Sequence, residues 1–193
     1  MAKFDHFNLI SPIYDLIFGR RKDHTMVRLA DLNPDQTLLD VGGGTGRVSV
    51  LFSEISQRLV ILDSSYNMLF EAKNKGLKTV NSHSERMPFE EGVFDRIILV
   101  DALHHVADQY GTLKEMWRLL APNGKMIIEE PDINHFLVKL IALGEKFLLM
   151  RSNFLAPKKI VSMCRFDENA TINIQKEGGI AWIIIEKINY GRG

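Results

Sequence analysis

The sequence predicts an α/β fold: a doubly wound, mostly parallel seven-stranded sheet with an antiparallel C-terminal hairpin, in a single domain. Three observations carry this. Short aliphatic runs alternate with longer helical patterns through residues 37–130, as parallel strands joined by crossover helices do. The chain then ends in two strand-like runs on either side of Gly178-Gly179, which reads as a hairpin. Finally, 193 residues, 46% of them hydrophobic, are enough for one core without disulfide or metal staples.

The elements follow in order. Residues 1–36 form an aromatic-rich helical flap, with a helix over 26–32 ended by Asn33-Pro34. Strands are expected at 37–41, 59–63, 77–81, 94–100 and 125–130. Helices are expected at 46–56, 66–75 and 108–120. In the last of these, Leu113, Met116, Trp117 and Leu120 recur at helical spacing, and Pro122-Asn123-Gly124 is the stop. The domain proper is 37–193. Within it, residues 133–166 begin with an apolar helix over 133–150 and form a helical lid or interface insertion. The hairpin strands are 171–175 and 180–187.

Charge narrows the functional classes. Lys plus Arg and Asp plus Glu are 24 each, so the molecule as a whole does not attract a polyanion. Residues 31–130 carry 10 basic and 15 acidic side chains, so the centre is mildly acidic and the flanks mildly basic. With no basic stripe, nucleic acid is not an expected partner. The single cysteine, Cys164, can form no internal bridge and lacks the thiol partners of a structural zinc site; no metal site is expected, and a reducing cytoplasm is the expected compartment. Residues 1–8 have no apolar signal-peptide core, and the greasiest stretch, 136–150, is broken by Lys139, Gly144, Glu145 and Lys146 and is too short to span a bilayer.

Chemistry concentrates at Leu38-Leu39-Asp40-Val41-Gly42-Gly43-Gly44-Thr45-Gly46, a strand running into a glycine turn and a helix. Such a turn lets backbone approach a ligand closely and aims helix N–H groups at it. A dinucleotide fingerprint beginning at Gly42 would need glycine or alanine where Arg47 stands, and the Gly-Lys-Ser/Thr of a P-loop is absent. Asp40 also disfavours phosphate and suits a ligand with a cationic group. Asp63 ends the second strand, where it either accepts both hydroxyls of a ribose or caps the helix starting near Ser65. Ser84-Glu85-Arg86-Met87-Pro88-Phe89 follows the third strand and forms either a wall for a base or a simple turn. Glycine turn, strand-end acid and base wall in this order describe a nucleoside pocket.

LLDVGGGTGRVS, LDSSYNML, SERMPF, FDRIILVDALHHV and MWRLLAPNGKMIIEEPD together resemble the successive motifs of class I S-adenosylmethionine-dependent methyltransferases, which have a Rossmann-like fold. Phe4-Asp5, Pro12-Ile13-Tyr14-Asp15 and Gly178-Gly179-Ile180 are similar to the quinone-biosynthesis C-methyltransferases of the menaquinone and ubiquinone pathways. The resemblance implies S-adenosylmethionine as cofactor, with Asp40, Gly42, Gly43 and Gly44 facing its methionine part and Asp63 the ribose. It puts Ser64 and Met68 at the ribose and adenine edge, Ser84, Glu85 and Met87 at the adenine end, and Asp101 by the methionyl amine. His83 departs from the pattern by standing where relatives have an acid, so the adenine amino contact passes to Glu85 or a backbone carbonyl. Asn123 replaces a turn glycine.

Methyl transfer from an activated sulfonium chiefly needs alignment and exclusion of water. If the acceptor must lose a proton, His104 and His105 are the best-placed titratable pair, with Tyr14 and His24 contributing from the flap. Cys164 lacks the sequence context of a nucleophile. Glu129-Glu130-Pro131-Asp132 is not the pattern by which amino-methylating nucleic-acid enzymes hold a base. The expected activity is methylation of a small aromatic or lipophilic acceptor such as a quinone precursor; the alternative is a non-catalytic S-adenosylmethionine-binding sensor or assembly partner. Residues 7–18 and the helix over 133–150 are expected to form a hydrophobic lid, with Arg20, Arg21 and Lys22 making weak contact with an anionic membrane surface; the alternative is that the helix is an ordinary core or homodimer helix.

Overall fold

The computed structural model describes residues 21–135, 138–139, 153–168 and 170–188. Tyr14 and the rest of residues 1–20, and residues 136–137 and 140–152 of the expected lid, lie outside the described residues.

Seven strands form one sheet: β1 (Leu38–Val41), β2 (Leu59–Asp63), β3 (Thr79–Asn81), β4 (Phe94–Val100), β5 (Leu120–Pro131), β6 (Ala170–Glu177) and β7 (Ile180–Lys187), in spatial order β3-β2-β1-β4-β5-β7-β6. The first five run parallel, whereas β7 is antiparallel to both β5 and β6. The helices are α1 (Arg21–Ala30), α2 (Ser49–Ser53), α3 (Tyr66–Asn74), α4 (Gln109–Leu119) and α5 (Pro157–Met163), with a 3-10 turn at Leu103–His105.

Successive strand residues face opposite sides of the sheet, so each aliphatic run feeds two cores. Leu38, Ile61, Ile98, Ile127 and Ile184 pack with Met26 and Ala30 of α1, Phe52 of α2 and Ala72 of α3. Leu39, Leu62, Ile97, Leu99, Ile128 and Ile183 pack with Leu113 and Met116 of α4 and Ile160 of α5. α1 therefore belongs to the first core. Its C-terminus is held by buried Arg96, whose Nε donates to Ala30 O at 2.6 Å and whose Nη2 donates to Asp31 O at 3.0 Å. A cation there also complements the negative end of the helix.

Several boundaries differ from the sequence reading: α1 starts at Arg21 rather than residue 26 and β3 at Thr79 rather than residue 77, and two further shifts have a local cause. α2 starts at Ser49 rather than residue 46, because residues 42–48 are spent on a glycine turn in which Gly46 N–H donates to Gly43 O at 2.9 Å. β5 starts at Leu120, since Phe94 pairs with Leu120 before the register shifts and Arg96 pairs with Lys125. Pro122-Asn123-Gly124 is thus the irregular stretch between two pairings, and Asn123 accommodates it at φ +61°.

The strand order reverses between β1 and β4. In open α/β sheets the crevice outside the carboxyl ends of such a pair is the usual ligand site.

Candidate functional site

A cleft of about 560 Å³ opens at this switch point. It is lined from β1 and its turn by Asp40, Gly42, Gly43, Gly44 and Arg47, from β2 and α3 by Asp63, Ser64 and Met68, and from the β3 side by Ser82, His83, Ser84 and Glu85. Asp101, His105 and Val106 complete it from the segment after β4.

The floor is built from backbone. Gly42 N–H donates to Leu62 O at 2.7 Å, which ties the turn to β2. A Cβ on Gly43 would lie 2.6 Å from the Asp40 carboxyl and 2.9 Å from Ile61, so this glycine is demanded by the protein's own packing. The sequence reading had attributed the glycines to ligand approach, and at Gly43 the internal collision comes first. Gly44, at φ +53°, faces the cleft and donates its N–H to Asp63 Oδ2 at 3.0 Å.

Asp40 is 1% exposed, with Oδ2 accepting from Ser49 Oγ at 2.6 Å. Its Oδ1 is buried and has no hydrogen-bond partner among the described residues. Burial pushes the carboxyl up to about 7; the Ser49 hydrogen bond and Arg47 oppose this, whereas Asp63 adds to it. A buried acceptor without a donor is costly to leave, and at the lining of a cleft it fits a cationic N–H donor on a ligand.

Asp63 does not itself cap the helix: it holds the residue that does, and it lines the cleft. Besides Gly44, it accepts the N–H of Ser65 at 2.7 Å, and Ser65 in turn caps α3 by accepting from Met68 N–H at 3.4 Å. On the third wall, Ser84 Oγ is 2.9 Å from Thr112 Oγ1 of α4, and Glu85 Oε1 accepts from Asp108 N–H at 3.3 Å. Met87 is the exception in this segment. Its side chain is 3% exposed within the second core, its N–H donates to Glu115 Oε2 at 3.0 Å, and it does not line the cleft.

Asp101 lies at the end of β4 in the left-handed region, φ +54°, with its N–H donating to Glu129 O at 2.9 Å. Such a conformation in a non-glycine residue concentrates at functional sites. The two histidines separate. His105 lines the cleft, and desolvation first, then the charge of His104, draws its imidazole well below the usual histidine range against the opposing pull of Asp101. His104 is 3% exposed and turned away, with Nδ1 2.6 Å from Glu130 Oε2. His24 is exposed on α1 and does not line the cleft.

Arg47, Ser49 and Glu130 were not expected as site residues from the sequence. Ser49 and Glu130 are brought to the site only by the fold, from nine and twenty-six residues beyond their partners Asp40 and His104.

With this geometry in hand, the likeness to known proteins is informative. A family described as "Methyltransferase domain" matches residues 39–128, the stretch that contains every cleft-lining residue. Residues 39–128 thus match a methyltransferase domain, and the chain resembles the class I methyltransferases. It is 33% identical over 142 residues to the demethylmenaquinone methyltransferase of Oceanobacillus iheyensis, covering 67% of this chain and 57% of that one. It is 31% identical over 142 residues to the ubiquinone/menaquinone biosynthesis C-methyltransferase UbiE of Haemophilus ducreyi, covering 64% and 55%. The chain therefore spans a little over half the length of these relatives. Among solved structures, a SAM-dependent methyltransferase of Thermotoga maritima, described as a possible histamine N-methyltransferase, superposes with a TM-score of 0.76 at 20% identity, covering 95% of this chain and 97% of that one. At that identity the likeness shows the fold.

The cleft fits the cofactor of that family. Asp40 Oδ1 is an orphaned acceptor suited to an ammonium, and Asp63 stands at the end of β2 with an N–H bond to each carboxylate oxygen and room for further donors.

Proposed function

We propose that this protein transfers the methyl group of S-adenosylmethionine to a small aromatic or lipophilic acceptor such as a quinone precursor. The observation that carries the reading is the buried, half-partnered carboxylate of Asp40 beside the glycine turn at the sheet's switch point. Asp40 would hold the ammonium of the methionine part, Asp63 the ribose hydroxyls, and Ser84 and Glu85 the adenine end, with Met68 against the ring.

Bound there, S-adenosylmethionine supplies a methyl carbon already activated by a positive sulfur. The residues of the chain bind, orient and shield. Leu99, Val100, Val106 and Ala107 make an apolar wall on the β4 side, suited to an aromatic acceptor and to excluding water. His105, kept neutral beside this wall, is the group available to take a proton from the acceptor. The quinone class is supported by the names of the two relatives, of whose length the match covers a little over half.

Among the described residues no helix is long and apolar enough to cross a membrane, and no cluster of His, Cys, Asp or Glu is suited to a metal ion.

The test is calorimetric titration with S-adenosylhomocysteine, followed by incubation with methyl-labelled S-adenosylmethionine and a 2-prenyl-1,4-naphthohydroquinone, with products read by mass spectrometry. Cofactor binding and a labelled naphthoquinone are expected. Binding without formation of S-adenosylhomocysteine from any acceptor pool would favour a non-catalytic cofactor-binding protein.

A further inference from the structure

Glu130 lies near the end of β5, 3% exposed, and commits both carboxylate oxygens to the turn that follows β4. Oε1 accepts Leu103 N–H at 2.7 Å, and Oε2 meets His104 Nδ1 at 2.6 Å. The same turn is gripped from its other side. Gln109 Nε2 donates to Leu103 O at 3.0 Å and to Asn153 O at 2.8 Å, while Asn153 N–H donates to His104 O at 2.8 Å. The Phe154 ring stacks on the His104 imidazole with centroids 4.3 Å apart. His105, the next residue, lines the cleft with its ring 4.0 Å from that of His104.

We propose that Glu130 is a positioning residue which, through His104 and the Leu103–His105 turn, holds the His105 imidazole ready in the cleft to receive the acceptor's proton. The proposal rests on the methyl-transfer reading above. As the acceptor's electron pair bonds to the methyl carbon, the pair of the broken carbon–sulfur bond stays on sulfur and the acceptor's proton passes to His105. The positive charge thus moves from sulfonium to imidazolium, and the step balances.

A merely structural bond to Leu103 N–H could be made by an amide. A buried carboxylate costs more and does one thing further. It keeps a hydrogen on His104 Nδ1, which fixes that ring's orientation and tautomer, as the acid does in a hydrolase triad. The His104–Glu130 pair also sits beside His105, which desolvation first and then His104 hold unprotonated at neutral pH, with Asp101 as the opposing charge. Burial raises Glu130 itself, and pairing with His104 counters the rise.

The test compares wild type with Glu130→Gln and Glu130→Asp. Glutamine keeps the size and can still accept from Leu103 N–H, but its amide NH2 would donate to His104 Nδ1 and reverse the tautomer. Ring-nitrogen NMR on 15N-labelled protein should show His104 protonated at Nδ1 in wild type and at Nε2 in Glu130→Gln, with the His105 midpoint moved upward. Turnover of the 2-prenyl-1,4-naphthohydroquinone should fall about 10²-fold in kcat, its acid limb should follow His105, and S-adenosylhomocysteine affinity should hold. Glu130→Asp should recover part of the rate. An unprotonated Nδ1 in wild type, or an unmoved His105 midpoint in a folded Glu130→Gln, would overturn the proposal; if glutamine does not fold, the wild-type tautomer and the aspartate variant decide it. Wild-type protein that binds S-adenosylhomocysteine but never methylates the acceptor overturns the methyl-transfer reading instead, and the His105 midpoint then judges the Glu130 linkage by itself.

Discussion

Gly44 N–H donates to Asp63 Oδ2 at 3.0 Å, so the turn after β1 and the acid that ends β2 are one hydrogen-bonded unit. The same carboxylate takes the first N–H of the following helical turn, at Ser65. A residue expected to bind a ribose is therefore also what sets the spacing of the cleft's two walls.

Asp63→Ala should weaken S-adenosylhomocysteine binding by about 1.5 to 3 kcal/mol, roughly ten- to hundredfold, because a charged acceptor is lost. Asp63→Asn keeps one oxygen for Gly44 or Ser65 and should bind better than the alanine variant. Calorimetry with a melting curve for each protein checks this; equal affinities for all three, with intact folds, would remove Asp63 from the site.

Asp40 makes both stability and binding depend on pH. The folded protein keeps this carboxyl protonated up to about 7, whereas an unfolded aspartate ionises near its ordinary 3.8. Its contribution to stability is thus complete at low pH and is lost as pH rises between those values, by about 4 kcal/mol in all, levelling above 7. Cofactor affinity should run the other way, rising up to about tenfold per pH unit below 7, since the ammonium wants the ionised form. Asp40→Asn keeps a partner for Ser49, should flatten both profiles, melt higher than wild type at pH 8 and bind poorly. Parallel pH profiles for wild type and Asp40→Asn would contradict this.

The glycine turn separates packing from binding. Gly43→Ala places a Cβ 2.6 Å from the Asp40 carboxyl and should cost about 1 to 3 kcal/mol of stability as the turn shifts. Gly44→Leu puts side-chain atoms into the cleft from a left-handed backbone position, costing about 1 to 2 kcal/mol, and should abolish binding. Denaturant unfolding and calorimetry on each variant read the two effects. A Gly44→Leu protein that binds as wild type would move the cofactor to a different turn.

Arg96→Met should leave two carbonyls at the end of α1 without their donors and cost about 2 to 3 kcal/mol in urea unfolding. Cofactor affinity should stay within about threefold, since Arg96 does not line the cleft. A loss of binding equal to the loss of stability would tie α1 to the site.

The strands of the sheet were legible in the chain itself, because continuous aliphatic runs such as Leu59–Asp63 and Phe94–Val100 are local patterns, and so are the caps and turns between them; the strand order, and with it the switch point, came from the fold. The glycine turn and Asp63 were legible for the same reason, since a strand, its turn and the next helix are contiguous. What followed from local pattern alone erred where a contact is distant. Met87 reads like its cleft-lining neighbours Ser84 and Glu85, but the apolar side chain turns into the core with Leu62 and Leu99 while the polar ones stay at the surface. His104 and His105 are adjacent and chemically identical in the chain. Only the approach of β5 to the turn after β4 buries one against Glu130 and leaves the other in the cleft. The orphaned oxygen of Asp40 is likewise a tertiary fact, because which carboxylate lacks a donor depends on every group the fold brings around it, and spacing along a chain does not encode that.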